Sequence, residues 1–374
     1  MGIHTVRAVF IPYDVIWGGL TFFQIMILQS YFTFMIFLFE IPSGAIADFL
    51  GRNRALTLSA LSLIFATIFY CLVPNLWLFF IGETFWALGI ALRSGTDEAF
   101  LYTTLKALGK EKELPKYMAR NRTMYIGAQI ISAPLGSIIA IYISLHFTMV
   151  SLGLVYVLAF IFSFSLKEPH SKKKTHKSNR YLNIIKDGYK ELKRNKILRI
   201  LCLDRVLIES LIFILFWTYQ IYLGAVNVPI SFFGFVASAI NVVNLIFLNV
   251  IPMISKRIKN KLKLLILVDI ICGIAYIFMG FIFNAILGIL LILTIVATGY
   301  PRYLIYINGI NKQVESENRA TVLSTINMFT SFLRAITLPF IGIILEWNVF
   351  IVFIFIGGLI ILLTILTRVK NDYL

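Results

Sequence analysis

Asp14, Glu83, Asp204 and Arg334 each stand in a long apolar stretch with no opposite charge three or four residues away. Placing a charge at the centre of a bilayer costs about 2.5–3.5 kcal/mol even on a lenient insertion scale. Such residues must therefore face a partner or a water-filled cavity. Desolvation favours the neutral form of a carboxyl, so a carboxylate in that setting can take up a proton on one side of a membrane and release it on the other. Glu83 is the first candidate proton carrier and Asp14 the second. A nearby cation such as Arg334 could expel the proton by lowering the carboxyl's pKa again. A cationic cargo would use the same carboxylates and compete with protons for them. Arg93 with Asp97 and Arg205 with Glu209 are spaced i,i+4, so on one helix each pair could simply neutralise itself. Glu40 and Asp269 lie nearer the ends of their stretches, where a structural interfacial role is expected. Trp86 and Trp217 lie deeper, where they either pack in a core or stack on a cationic substrate. Cys71, Cys202 and Cys272 read as small core residues, and no metal-ligand spacing is present.

The elements that must position these residues are legible in the composition. The 374 residues are 59% hydrophobic and 14% charged, against about 25% charged for a soluble domain. An all-α integral membrane protein is expected. Apolar runs of spanning length predict helices at 4–17, 20–47, 55–73, 76–104, 121–145, 147–166, 197–224, 230–254, 264–283, 285–311, 321–345 and 347–367. The first is short: about 14 residues precede Gly18, fewer than the roughly 17 needed to span, which points to a start further upstream or to local thinning of the bilayer. No cleavable signal peptide is expected. The net charge of +16 suggests nucleic acid at first sight, but most of the 34 lysines and arginines fall in alternate interhelical segments. That alternation is the positive-inside pattern, and it places both termini in the cytoplasm and excludes a nucleic-acid footprint. Residues 1–166 form a first six-helix domain, 167–196 a basic cytoplasmic linker with an amphipathic helix near Tyr181–Leu192, and 197–374 a second six-helix domain.

Gly44 to Arg54 reads G-A-I-A-D-F-L-G-R-N-R between two apolar runs. It resembles the signature G-x-x-x-D-x-x-G-R-[RK] of the major facilitator superfamily: Gly44, Asp48, Gly51 and Arg52 match, while Asn53 takes the place of a basic residue and Arg54 follows it. The resemblance extends to Glu40–Gly44, to Arg93-Ser94-Gly95-Thr96-Asp97-Glu98-Ala99, and to Asn318–Ser324 in the second half. There are departures. Thr103 stands where L-Y-D-S-L has its aspartate, Ala133-Pro134-Leu135-Gly136-Ser137 replaces G-P-x-x-G-G, and Glu83 occupies the place of an exporter arginine. The equivalent of the opening motif in the second half, Pro252–Lys263, lacks its aspartate and glycines.

The resemblance implies the major facilitator fold, with about twelve transmembrane helices in two six-helix pseudo-repeats and the first, fourth, seventh and tenth lining a cavity. Asp14, Glu83, Arg93, Asp204, Arg205, Glu209 and Arg302 fall on those four. Gly44, Asp48, Gly51, Arg52, Arg54, Asp97 and Glu98 would form a gate, with Asp48 latching onto the eleventh helix near Arg319. The expected function is secondary active transport in a prokaryotic cytoplasmic membrane: proton-coupled export of a small amphipathic or cationic compound, by a monomer, without a cofactor. Uptake of a metabolite, or a sensor or scaffold that moves nothing, would present the same residues. No Walker A loop or nucleophile–base pair suggests an enzyme.

Overall fold

The computed structural model describes residues 2–167, 190–315 and 319–374. Among these the regular elements are all helical. The expected linker helix near Tyr181–Leu192 falls largely outside the described residues. The chain forms two compact units, Met1–Arg180 with Ile230–Ser238, and Tyr181–Pro229 with Ala239–Leu374.

In the first unit, a 3-10 turn (Arg7–Val9), α1 (Phe10–Pro12) and a π turn (Tyr13–Trp17) lead to α2 (Phe22–Leu50), α3 (Arg52–Leu72), α4 (Leu76–Arg93), α5 (Thr96–Ala107), α6 (Leu114–Tyr142) and α7 (Leu145–Ser163). Helix α3 packs along both α4 and α7, and α4 packs along α2. The turns carry their own start signals. Thr21 and Gln24 close a capping box on α2, and Asn75 and Ser144 accept from the first-turn N–H groups of α4 and α7. The predicted helix 76–104 is broken: Gly95 adopts φ +70°, a left-handed conformation that ends α4 and restarts the chain as α5.

The second unit contains α8 (Lys196–Phe213), α9 (Leu215–Ala225), most of α10 (Ile230–Arg257), α11 (Lys261–Met279), α12 (Ala285–Gly299), α13 (Tyr303–Lys312), α14 (Arg319–Trp347) and α15 (Val349–Ile365). Helix α11 packs against α15 and α12, and α14 packs against α8. The predicted spans 197–224 and 285–311 are each interrupted, at Ile214 and at the 3-10 turn Tyr300–Arg302, where Pro301 withdraws an N–H from the ladder.

Among the described residues nine helices are long and apolar enough to cross a membrane, and Val349–Ile365 is a shorter apolar one. The difference from twelve comes from the short first run, the break at Ile214 and the length of α15.

Candidate functional site

Four segments of the first unit converge on a buried acidic and aromatic cluster. Asp14 lies in the π turn and Glu83 in the middle of α4, with relative exposures of 0% and 2%. Glu83 Oε1 accepts hydrogen bonds from Gln29 Nε2 of α2 at 3.2 Å and from the Tyr70 hydroxyl of α3. The Tyr70 carbonyl in turn accepts from the Tyr13 hydroxyl at 2.8 Å, tying the turn that holds Asp14 to the helix that orients Glu83. The Tyr70 ring stacks on Phe79, centroids 4.6 Å apart, and meets Trp86 edge-on at 5.8 Å. Trp86 also meets Phe10.

The local sequence explains this packing. Gly82 stands one residue before Glu83, and a Cβ there would lie 2.7 Å from the Tyr70 ring. Only glycine lets that ring lie flat on α4. Both Asp14 carboxylate oxygens are buried without a hydrogen-bond partner among the described residues. A fully buried carboxylate without a donor is unfavourable by several kcal/mol as an anion.

The second unit holds an ionic network. Arg302, 0% exposed, donates from Nε to Asp269 Oδ1 at 2.5 Å and from Nη2 to Asp269 Oδ2 at 3.0 Å and Asp204 Oδ1 at 2.6 Å. The same Nη2 reaches the Tyr306 hydroxyl at 2.7 Å, Tyr306 donates to Asp204, and Thr367 donates to Asp204 Oδ2 at 2.5 Å. Asp204 lacks a partner on its own helix, as its spacing implies, but finds three on neighbouring elements. Asp269, expected in an interfacial structural role, is buried and pairs with Arg302 instead. Nothing in its local sequence signals this, because Arg302 lies 33 residues further along the chain. Arg205 and Glu209 do pair on one helix face, at 3.0 Å. The Arg334 guanidinium sits over the Phe213 ring at 3.9 Å, and its buried Nε has no hydrogen-bond partner among the described residues. Trp217 is half-buried, edge-on to Phe216 at 4.7 Å.

The motif residues take their places around the junctions of α2 to α5. Gly51 joins α2 to α3 at φ +97°, which side-chain-bearing residues rarely adopt. Arg52 Nη1 donates to the Ala99 carbonyl at 2.8 Å and to Thr103 Oγ1 at 3.1 Å. The threonine at the aspartate position of L-Y-D thus accepts from the Arg52 guanidinium with an uncharged oxygen. Arg54 is exposed, and Gly44 lies inside α2. The Asp48 side chain lies outside the described residues, as does Asn318 of the segment that opens α14. Arg93, Asp97 and Glu98 line a cavity of about 630 Å³ with Arg122 and Tyr125, and Arg93 lies over the Tyr125 ring at 5.8 Å. The break at Gly95 removes the premise that Arg93 and Asp97 share one helix face. In the altered α6 motif, Ser137 Oγ accepts from the Gly234 N–H at 2.7 Å, a packing role for the residue that replaces glycine.

The chain matches the sequence model of the Major Facilitator Superfamily over residues 8–310. It belongs to that superfamily. Solved structures agree on the fold. The nucleoside transporter NupG is 14% identical with TM-score 0.81, covering 98% of this chain and 93% of that one. A D-xylose-proton symporter is 12% identical with TM-score 0.74, covering 100% and 96%. A POT family transporter in complex with 5-aminolevulinic acid is 16% identical with TM-score 0.71, covering 97% and 91%. No curated protein sequence matches the chain. The chain is thus a multi-pass membrane protein of a transporter superfamily with the all-helical major facilitator fold.

Proposed function

We propose that this protein is a proton-coupled secondary transporter of a small molecule, with Asp14 and Glu83 as its proton-handling pair. The observation that carries the reading is two buried carboxyls in one cluster, one held by Tyr70 and Gln29, the other without a hydrogen-bond donor among the described residues. A proton can settle on Asp14 without breaking any bond. The aromatic rings around Glu83 suit an amphipathic or cationic compound, which supports export by exchange for protons. The basic alternation supports both termini on the cytoplasmic side. A second reading, uptake together with protons, is favoured by the structural likeness to a D-xylose-proton symporter.

The test is a pH-sensitive dye inside energised inside-out vesicles to which compounds are added singly. Exchange predicts that a substrate dissipates the gradient; Glu83→Gln and Asp14→Asn should each lower that flux at least about tenfold, while binding of the compound persists. Co-transport predicts the opposite sign of proton movement relative to the substrate. Full coupled flux in both variants would remove the pair from its role.

A further inference from the structure

The second unit presents a groove of about 560 Å³ between the start of α8 and the chain that follows α15. Four exposed cations stand along it: Lys196, Arg199, Arg368 and Lys370. None of their side chains has an ion pair or hydrogen bond among the described residues, so their charge is not spent on internal partners. Asp204, the one acid on the groove among the described residues, is engaged by Arg302, Tyr306 and Thr367.

Their arrangement is built in. Lys196 and Arg199 are spaced i,i+3 on α8 and share one face. Arg368 and Lys370 flank Val369 in a non-helical segment, and Val369 is 4% exposed, so side-chain alternation sends both charges the other way. That segment is pinned from beyond. Leu374 is buried in the core cluster, its carbonyl accepts from Lys261 Nζ at 3.0 Å, and Asn371 Oδ1 accepts from the Leu262 N–H at 3.4 Å. The face that begins with Lys196 and Arg199 continues with Leu203 and Leu207, and Leu366 flanks it from the other side. Leu203 and Leu366 are apolar and exposed.

We propose that this groove binds an anionic phospholipid, its phosphate among the four cations and its acyl chains along Leu203, Leu207 and Leu366. Charge complementarity selects the headgroup, and the change from basic to exposed apolar surface along a single helix face matches the polarity of a lipid. Basic pockets beside membrane-spanning helices bind such headgroups through a surface attraction that grows with each cation.

The test is native mass spectrometry of the purified full chain titrated with palmitoyl-oleoyl phosphatidylglycerol and, separately, with the phosphatidylcholine of the same chains. The anionic lipid should bind tighter. The preference should fall by roughly fivefold for each charge removed in Lys196→Gln, Arg199→Gln, Arg368→Gln and Lys370→Gln, and disappear in their combination. The combined exchange Lys196→Arg, Arg199→Lys, Arg368→Lys and Lys370→Arg keeps the charge and should keep the preference. Neutralising Lys110, Lys112, Lys116 and Arg120 in the first unit should leave it unchanged. If the combined variant does not fold, the four single variants decide. Equal binding of the two lipids, a preference that survives neutralisation, or an equal loss in the first-unit variant would overturn the proposal.

Discussion

Glu83 is oriented from two sides, by an amide and a phenol, and the phenol depends on a neighbour with no side chain at all. Two outcomes follow from that geometry. Tyr70→Phe deletes a donor but not the stacked ring, so it should lower stability by only about 1 kcal/mol, read by thermal unfolding in detergent. It should impair proton-coupled flux more than it impairs folding, because Glu83 loses the group that holds it. Gly82→Ala should be worse for stability, by about 1–3 kcal/mol, since the new Cβ would press into the Tyr70 ring. If Gly82→Ala were neutral, the close packing of α3 on α4 would not be what places Glu83. The candidates Asp14 and Glu83 were visible in the sequence because an isolated charge in an apolar run is costly wherever it lands. Tyr13, Tyr70 and Gln29 were not. A tyrosine in an aromatic-rich helix carries no such penalty and gives no signal until its partner is known.

Among the elements, the Arg302 network joins α8, α11, α13 and the chain after α15 at one guanidinium. Removing that cation leaves two carboxylates without a counter-charge, although Asp204 keeps the Tyr306 and Thr367 hydroxyls. Arg302→Met should therefore cost about 3–5 kcal/mol, and the triple change with Asp204→Asn and Asp269→Asn should recover part of the loss in the same unfolding assay. An additive triple variant would show that the three groups do not act as a unit. A milder case is the arginine that crosses from α3 to α5. Thr103 offers it a neutral oxygen, so Thr103→Asp should strengthen the contact by up to about 1 kcal/mol, the upper range for a partly exposed pair. A melting temperature that falls instead would count against the assignment. Helix order was readable because apolar run length is a property of each stretch by itself. The breaks at Gly95 and Ile214 were less so, since one glycine or an apolar residue within an apolar run is compatible with a continuous helix.

For the whole molecule, the alternation of basic segments leads to an expected outcome for topology. In a cysteine-free background, a single cysteine replacing Lys112 should react with an impermeant reagent only after cells are opened, and one replacing Asn348 should react in intact cells. The reverse pattern would invert the orientation. Apolar run length, the charge alternation and the Gly44–Arg54 motif determined class, helix order and family from the sequence alone, because the cost of moving backbone and charge into hydrocarbon acts on every residue of a span. The packing of helices decided which charges meet. Arg302 selects Asp204 and Asp269 over its sequence neighbours, and the turn that holds Asp14 is tied to Glu83 through Tyr13 and Tyr70. It also decided that Arg368 and Lys370 share a groove with Lys196 and Arg199. Those pairings join residues far apart in the chain. They depend on helix rotation and, for Glu83, on the close approach at Gly82, which no local pattern encodes.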